Sequence, residues 1–266
     1  MERRGSSLRA VAAVLAVLLA ALLAGSGRGG IAAAEAGPSL SPRRTVSVRI
    51  LADPGLGKND IWKVDLLRAV SDASQALAET CGVALKIRAY GYWPAAPPGT
   101  AEGGDHPTTV FGALAVINRH VRSAGRGGAE IVLGLMAEGP CGPVIPGVAD
   151  YLNGTVVVKY LRSKGGIPFV LLHELCHIFG AVDLKTKGSV MSLKGPGFRI
   201  DAFTKAILRA NRLRSFDGGF PLSEGSIPEA IKLYEGRRAL GLGEGELEVC
   251  LGKLDKVRAR QSRAPR

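Results

Sequence analysis

Strand-like and helix-like patterns alternate along residues 45–136, and this alternation is the strongest constraint on the fold. Residues 45–51 alternate apolar with polar side chains, as a half-buried strand does. The pattern then continues as a helix over 60–80, a strand over 83–92, a helix over 109–123 and a strand over 130–136. The first helix is expected to face inward along a stripe of Ile61, Val64, Leu66, Leu67, Val70, Ala73 and Leu77. Strands that alternate with helices pair in parallel through right-handed crossovers. We therefore predict an α/β fold with a largely parallel sheet.

A β-hairpin signal follows the third strand. Asn153-Gly154 separates two strand-like runs at 148–152 and 155–160, and Asn-Gly in such a position is the strongest short-range hairpin signal. Pro146 stands just before the first run, and proline is tolerated in sheets mainly on edge strands. The pattern predicts one antiparallel strand at the edge of a mixed sheet, where an extended peptide can pair with it.

Residues 173–177 read His-Glu-Leu-Cys-His within a segment, 168–179, that is predicted to be helical. Four residues make just over one helical turn, so His173 and His177 project from one face and can share a metal ion. Glu174 can reach a water molecule on that metal without being a ligand. Zinc lowers the pKa of such a water to roughly 7, and a carboxylate then takes its proton as the water attacks a carbonyl. The motif predicts zinc-dependent hydrolysis without a covalent intermediate.

The five residues of this motif alone are limited evidence for a zinc site. A His-Glu-x-x-His match arises by chance on the order of once per hundred chains of this length. However, the chain has only four histidines, and two of them stand at this spacing. The others, His106 in a Gly-Asp-His-Pro segment and His120 on a predicted helix, are expected to be surface or packing residues.

The motif is longer than five residues. It continues as Ile-Phe-Gly-Ala-Val-Asp, and a methionine follows shortly after in Ser-Val-Met-Ser. This extended pattern resembles the metzincin clan of zinc metallopeptidases, in which the glycine ends the helix and lets the third ligand return to the metal. The resemblance implies metal ligation by His173, His177 and Asp183, catalysis by Glu174, a hinge at Gly180 and an apolar floor at Met191.

The third ligand departs from the commonest pattern of the clan. Most members have histidine where this chain has Asp183, but small secreted bacterial metzincins of the snapalysin type carry aspartate there. A carboxylate oxygen is an ordinary zinc ligand. Some members use a tyrosine two residues after the methionine as an extra ligand; this chain has Leu193, so no tyrosine ligand is expected.

The resemblance also implies an architecture, a metzincin-like α/β (α+β) fold. Within a catalytic domain over 37–266, a twisted mixed sheet with one antiparallel edge strand and the active-site helix form an upper lobe at about 45–180. A smaller, mostly helical C-terminal lobe follows at about 181–260. Helices are predicted there at 227–242, 244–260 and 201–214, the last with Phe203, Ile207, Leu208 and Leu213 facing inward. Peptide is expected to pair along 142–149, in a cleft whose side-chain pocket is walled by 193–200, including Phe198.

Residues 1–36 have the layout of a secretory signal peptide. Arginines precede an apolar run over 10–24, and small residues follow it. That run is shorter than the about 20 residues that span a membrane. We expect a secreted protein, in the extracellular or cell-envelope space, with no stable membrane anchor after cleavage.

Four cysteines, an even number, favour two disulfides in an exported chain. Three pairings are open, and the preferred one joins Cys176 to Cys250 and Cys81 to Cys141. None of the four has the Cys-x-x-Cys spacing of a structural zinc site.

The chain is basic, with a formal net charge of +12. Removal of the four arginines and two glutamates of residues 1–36 leaves about +10. No nucleic-acid motif accompanies this charge and aromatic residues are sparse, so no specific nucleic-acid partner is expected. The expected partner is a polypeptide substrate, and the expected state is a monomer.

Two other hypotheses remain open. The first is a zinc hydrolase of another clan with a later glutamate ligand, Glu224 or Glu229; the positions of Gly180 and Met191 would then be coincidental. The second is a secreted binding protein that keeps a metallopeptidase scaffold without turnover. The intact Glu174 argues against this second hypothesis.

Overall fold

A five-stranded mixed sheet organises the protein in the computed structural model. Four of its strands follow each other through parallel pairs, in the order β2-β1-β3-β5, and β4 pairs antiparallel with β5 at the edge. This confirms the mixed sheet with one antiparallel edge strand. The strands are β1 (Arg44–Ala52), β2 (Val83–Tyr92), β3 (Ile131–Met136), β4 (Gly147–Asp150) and β5 (Thr155–Lys159).

The structure describes residues 44–57, 61–93, 107, 109–137, 146–150, 153–160, 166–184, 187–192 and 197–216, with Lys232 and Glu235. The predicted signal peptide and the helix predicted at 244–260 lie outside these residues, as does most of the helix predicted at 227–242. The division into two lobes stays a prediction.

Four α-helices and one short 3-10 turn, Pro54–Leu56, accompany the sheet within the described residues. Two of the helices begin at a capping side chain: Thr109 accepts a hydrogen bond from the Gly112 amide, and Asp201 from the Thr204 amide. No described helix has the length and apolar composition needed to cross a membrane. The helices are α1 (Ile61–Cys81), α2 (Val110–Ala124), α3 (Gly166–Ile178) and α4 (Ala202–Asn211).

The predicted hairpin forms at Asn153-Gly154. Gly154 has φ +57°, in the left-handed region that favours glycine, and Asp150 pairs with Thr155 across the turn. The Asp150 carboxylate accepts a hydrogen bond from the Asn153 amide, at 3.1 Å. The turn chemistry therefore fixes the register that places β4 at the edge of the sheet.

Both faces of the sheet are covered by helices. Helices α1, α3 and α4 share one apolar cluster with β1, whereas α2 packs with Leu51, Val132 and Val157 in a second cluster. Every residue of β3 and β5 is buried, as expected for central strands covered on both sides. Helix α3 therefore lies against the sheet beside the edge strand β4.

The inward face of α1 differs from the predicted stripe. Ile61 is 63% exposed and Val64 and Leu67 are also exposed, while Trp62 and Leu66 are buried. Residues three apart on a helix lie about 60° short of a full turn, so side chains that repeat only every three residues move off the face that packs against the core. Spacings that mix three and four residues stay on it.

Neither predicted disulfide is present in the structure. Cys81 and Cys176 are free and buried, and the Cys81 thiol donates a hydrogen bond to the Leu77 carbonyl, at 3.2 Å. Both thiols belong to the apolar cluster that joins α1 and α3. Their proposed partners, Cys141 and Cys250, lie outside the described residues.

Candidate metal centre

Helix α3 carries the His-Glu-x-x-His motif on a largely buried segment. Pro168 lies within its first turn, where the missing N–H has no helical partner to lose. His173 and His177 are partly exposed, and their ring centroids lie 4.7 Å apart. The helix therefore presents both imidazoles on one face, as the spacing predicted.

The chain reverses at Gly180. Gly180 has φ +89°, its amide donates to the His177 carbonyl at 2.8 Å, and the Ala181 amide donates to the Cys176 carbonyl at 3.0 Å. These two bonds form a Schellman motif, which ends a helix with a residue in the left-handed region. The glycine therefore turns the chain back towards the face that carries the imidazoles.

The last carbonyls of α3 are capped by the segment at the end of α4. The Asn211 side-chain amide donates to the Phe179 carbonyl at 2.8 Å, and the Arg214 guanidinium donates to the Ile178 carbonyl. Asn211 and Arg214 are completely buried, and burial lowers the pKa of Arg214 to about 9. These donors hold the end of the helix from which the chain continues to Asp183, the third candidate ligand.

Asp183 returns to the two imidazoles. Its Oδ1 atom lies 3.3 Å from Nε2 of His173 and 3.5 Å from Nε2 of His177, and the two Nε2 atoms are 3.1 Å apart. Among the described residues, this is the one group of three side chains that could hold a metal ion, with ligand atoms within 4.8 Å of one another. Two atoms that each lie about 2.0–2.1 Å from a tetrahedral zinc are separated by about 3.3–3.4 Å. The observed spacing fits that ion.

The hydrogen bonds at the far side of each ring support the same conclusion. Nδ1 of His173 lies 2.8 Å from the Val190 oxygen, and Nδ1 of His177 lies 2.8 Å from the Ala181 oxygen. A carbonyl only accepts, so each Nδ1 carries a proton, and in the neutral form of each ring Nε2 offers its lone pair to a metal. The two Nε2 atoms and the carboxylate oxygen converge on one point, where a cation would be stabilised by all three.

The charge state of Asp183 suits a ligand. Burial raises the pKa of this carboxyl, but hydrogen bonds and positive charge from His173 and His177, which require a proton on Nε2, lower it by more, to well below its usual range. A metal cation in the place of those protons would favour the ionised carboxylate for the same electrostatic reason. Asp183 is therefore ionised at neutral pH, and an anionic oxygen is the form that binds a metal.

Glu174 lies beside this group and is not part of it. Its side chain is only 6% exposed, and it packs against Gly147 of the edge strand. The carboxylate therefore lies against the start of the strand where an extended peptide was predicted to pair, and Glu174 directly follows His173 on α3.

The segment that contains Met191 passes close to the site. Met191 is fully buried, its carbonyl accepts from the Leu184 amide at 2.7 Å, and its amide donates to the Ser189 hydroxyl at 3.1 Å. The Ser189 hydroxyl donates in turn to Asp201 at 2.6 Å. The role of Met191 as an apolar floor stays a prediction.

Several of these supporting groups were not identified from the sequence. They are the carbonyls of Val190 and Ala181 and the side chains of Ser189, Asn211 and Arg214, none of which has a distinctive motif. Asp201 was identified only as the start of a helix, and its capping pattern gave no sign of the bond to Ser189.

Two aromatic side chains lie next to the imidazoles. Phe169 is 6.2 Å from the His173 ring centroid, and Phe198 meets Phe169 edge-on at 5.7 Å. Phe198 is 67% exposed. Residues 193–196 of the predicted pocket wall, including Leu193, lie outside the described residues.

The one other candidate ligand within the described residues, His120, is not brought into this group. His120 lies on α2 and belongs to no metal-ligating group of the described residues. His106, Glu224 and Glu229 lie outside the described residues.

Comparison with known proteins gives only distant similarities. No protein-family model matches the sequence, and no curated protein matches it. A chain from a chaperone-substrate complex is 15% identical with a TM-score of 0.43, covering 68% of this chain and 36% of its own length. Metalloproteinase-II from Bacteroides fragilis is 12% identical with a TM-score of 0.44, covering 65% of this chain and 54% of its own. A zinc-dependent peptidase from Methanocorpusculum labreanum is 12% identical with a TM-score of 0.38, covering 60% of this chain and 99% of its own.

The chain thus spans about a third and about half of the length of the first two structures. Two of the three are described as a metalloproteinase and a zinc-dependent peptidase. The similarities are distant, and the function proposed for this chain rests on its own side chains.

Proposed function

We propose that this protein is a secreted zinc-dependent endopeptidase in which His173, His177 and Asp183 hold the metal and Glu174 is the general base. The observation that carries the proposal is the convergence of two Nε2 lone pairs and one carboxylate oxygen, 3.1–3.5 Å apart. Backbone carbonyls fix both rings in the ligating tautomer.

The protein groups around the ligands fit the hydrolysis of a peptide bond. A bound zinc would lower the pKa of a water molecule to about 7 and polarise the substrate carbonyl. The Glu174 carboxylate takes one proton from the attacking water and gives it to the nitrogen of the leaving amine. One water is consumed, and the products are a carboxylic acid and an amine.

The edge strand β4 supports a polypeptide as the substrate. One side of β4 pairs with β5, and no other described strand pairs with its opposite side. An extended peptide that added to this edge would run past Glu174, because Glu174 packs against Gly147. We further propose export through the segment 1–36, a monomeric state and no nucleic-acid partner.

The test compares wild type with Glu174→Ala and Asp183→Ala. Zinc content and casein cleavage are measured for each, with and without a chelator. We expect Glu174→Ala to keep zinc and lose activity, and Asp183→Ala to lose zinc. Asp72→Asn, which alters an exposed carboxylate on α1, is the control and should match wild type.

The outcomes separate the hypotheses. A wild type that binds zinc and cleaves nothing supports a binding protein on this scaffold. Full zinc retention by Asp183→Ala moves the third ligand elsewhere and supports a zinc hydrolase of another type.

A further inference from the structure

We propose that Gly147 is a positioning residue, whose lack of a side chain sets the place of the Glu174 carboxylate. The proposal rests on the proposed function, in which Glu174 is the general base. It adds a requirement on the edge strand that the His-Glu-x-x-His motif does not contain.

The contact between the strand and the helix leaves no room for a methyl group. A Cβ atom at position 147 would lie 2.8 Å from both Cγ and Oε1 of Glu174, and 2.7 Å from Cγ1 of Val170. Real Cβ atoms essentially never have neighbours this close. An alanine at this position therefore has to displace Glu174, Val170 or the strand itself.

The backbone conformation at position 147 does not explain why this residue is glycine. Gly147 is not among the glycines with positive φ, and it pairs with Val158 in the antiparallel ladder. Any residue can adopt this extended backbone, and glycine inside a strand weakens it. The reason for glycine is therefore the close approach to α3.

Moving the groups around position 147 would disrupt their packing and hydrogen bonds. Glu174 and Val170 are both buried, and the start of β4 is held by the bond from the Lys159 amide to the Pro146 carbonyl, at 2.8 Å. Rotation of Glu174 moves its carboxylate away from its place against the start of β4, and outward movement of β4 changes the distance between the carboxylate and a peptide on that edge. Both responses lower the rate of the proton transfer.

The first measurement is a comparison of Gly147→Ala with Gly91→Ala. Gly91 lies in β2 at the opposite edge of the sheet, and a Cβ there meets only the Cδ2 atom of Leu51, at 3.4 Å. We expect Gly147→Ala to keep its zinc and a KM within about threefold of wild type while kcat falls at least about tenfold. Gly91→Ala should retain the kcat of wild type.

The second measurement does not use activity. Thermal or denaturant unfolding is followed for Gly147→Ala in the wild-type and Glu174→Ala backgrounds, as a double-mutant cycle. Because Glu174→Ala removes both Glu174 atoms that the new methyl group would meet, the loss of stability should be smaller in that background. Folding of Gly147→Ala only in the Glu174→Ala background is the extreme case of the same result.

The outcomes are distinct from those of the proposed function. A wild type without zinc binding and casein cleavage overturns the proposed function. An active wild type whose Gly147→Ala variant keeps full kcat overturns the positioning role alone. Equal loss of stability in both backgrounds, or failure of Gly147→Ala to fold in either, also overturns it, because contact with Glu174 would not be the determinant.

Discussion

Nδ1 of His173 lies 2.8 Å from the main-chain oxygen of Val190, 17 residues further along the chain. This hydrogen bond joins the helix that carries both imidazoles to the turn that contains Met191. The turn is held by Ser189, which binds the Met191 amide and the Asp201 carboxylate at once. The orientation of one proposed metal ligand therefore depends on a capping residue at the start of α4.

Replacement of Ser189 should weaken zinc binding. Ser189→Ala removes the hydroxyl that links Met191 to Asp201, so the Val190 carbonyl loses its fixed position. We expect a fall in zinc affinity of about tenfold and a loss of about 1–2 kcal/mol in the free energy of unfolding. Chelator competition and denaturant unfolding measure the two effects. Ser71→Ala on the exposed side of α1 is the matched control, and equal zinc affinity in both variants would contradict the prediction.

The Asp201 carboxylate should make the protein sensitive to acid. Burial raises the pKa of Asp201, but hydrogen bonds from Ser189 and Thr204 lower it by more, so the pKa of this carboxyl lies below its ordinary value. A carboxyl whose pKa is lower in the folded state stabilises the fold above its unfolded pKa, and this is lost as pH falls through the folded value. Unfolding of the zinc-free protein between about pH 5 and about pH 2 should show a smaller loss of stability for Asp201→Asn than for wild type. Identical pH profiles would contradict this role.

The buried amide of Asn211 should be needed at the end of α3. Asn211→Ala removes the donor to the Phe179 carbonyl and leaves that oxygen buried. We expect the free energy of unfolding to fall by about 1–3 kcal/mol. Zinc affinity should fall as well, because the Gly180 turn that directs Asp183 follows this carbonyl. A stability loss with unchanged zinc affinity would show that the cap does not act on Asp183.

Two glycines with positive φ, each at the end of a helix, allow a paired test of the turn. Gly180 has φ +89° at the end of α3, and Gly125 has φ +73° at the end of α2. Each substitution by alanine should lower the free energy of unfolding by about 1–2 kcal/mol, because a residue with a Cβ is strained at positive φ. Only Gly180→Ala should lower zinc affinity. Equal zinc affinities in the two variants would separate the turn from metal binding.

The two buried cysteines should be unreactive in the folded protein. Burial raises the pKa of the Cys81 thiol to about 11 and raises that of Cys176 further. The thiolate is the reactive form, so iodoacetamide at neutral pH should label both residues only after denaturation. Peptide mass spectrometry measures the labelling, and a disulfide at either position would contradict the structure.

The sequence predicted much of the fold because the signals were local. The periods of the five strands and four helices, and the Asn153-Gly154 turn, depend only on neighbouring residues, and their bounds agree with the structure to within a few residues. The predicted inward face of α1 was correct at Val70, Ala73 and Leu77 and wrong at its start, and Leu213, expected to face inward, is exposed. In both cases the direction of a side chain depends on where the helix packs.

The candidate site also has a part that could be predicted from local sequence and a part that depended on packing. His173, Glu174 and His177 stand on one helix, so their spacing alone determines that they share a region, and Gly180 marks the turn that follows. The Asp183 that follows this turn was named by the extended motif, whereas the Val190 carbonyl partner of His173, the Ser189–Asp201 bond and the contact between Gly147 and Glu174 were decided by tertiary structure. They join segments that are far apart in sequence, and only the packing of α3 against β4, the Met191 turn and α4 determines those distances.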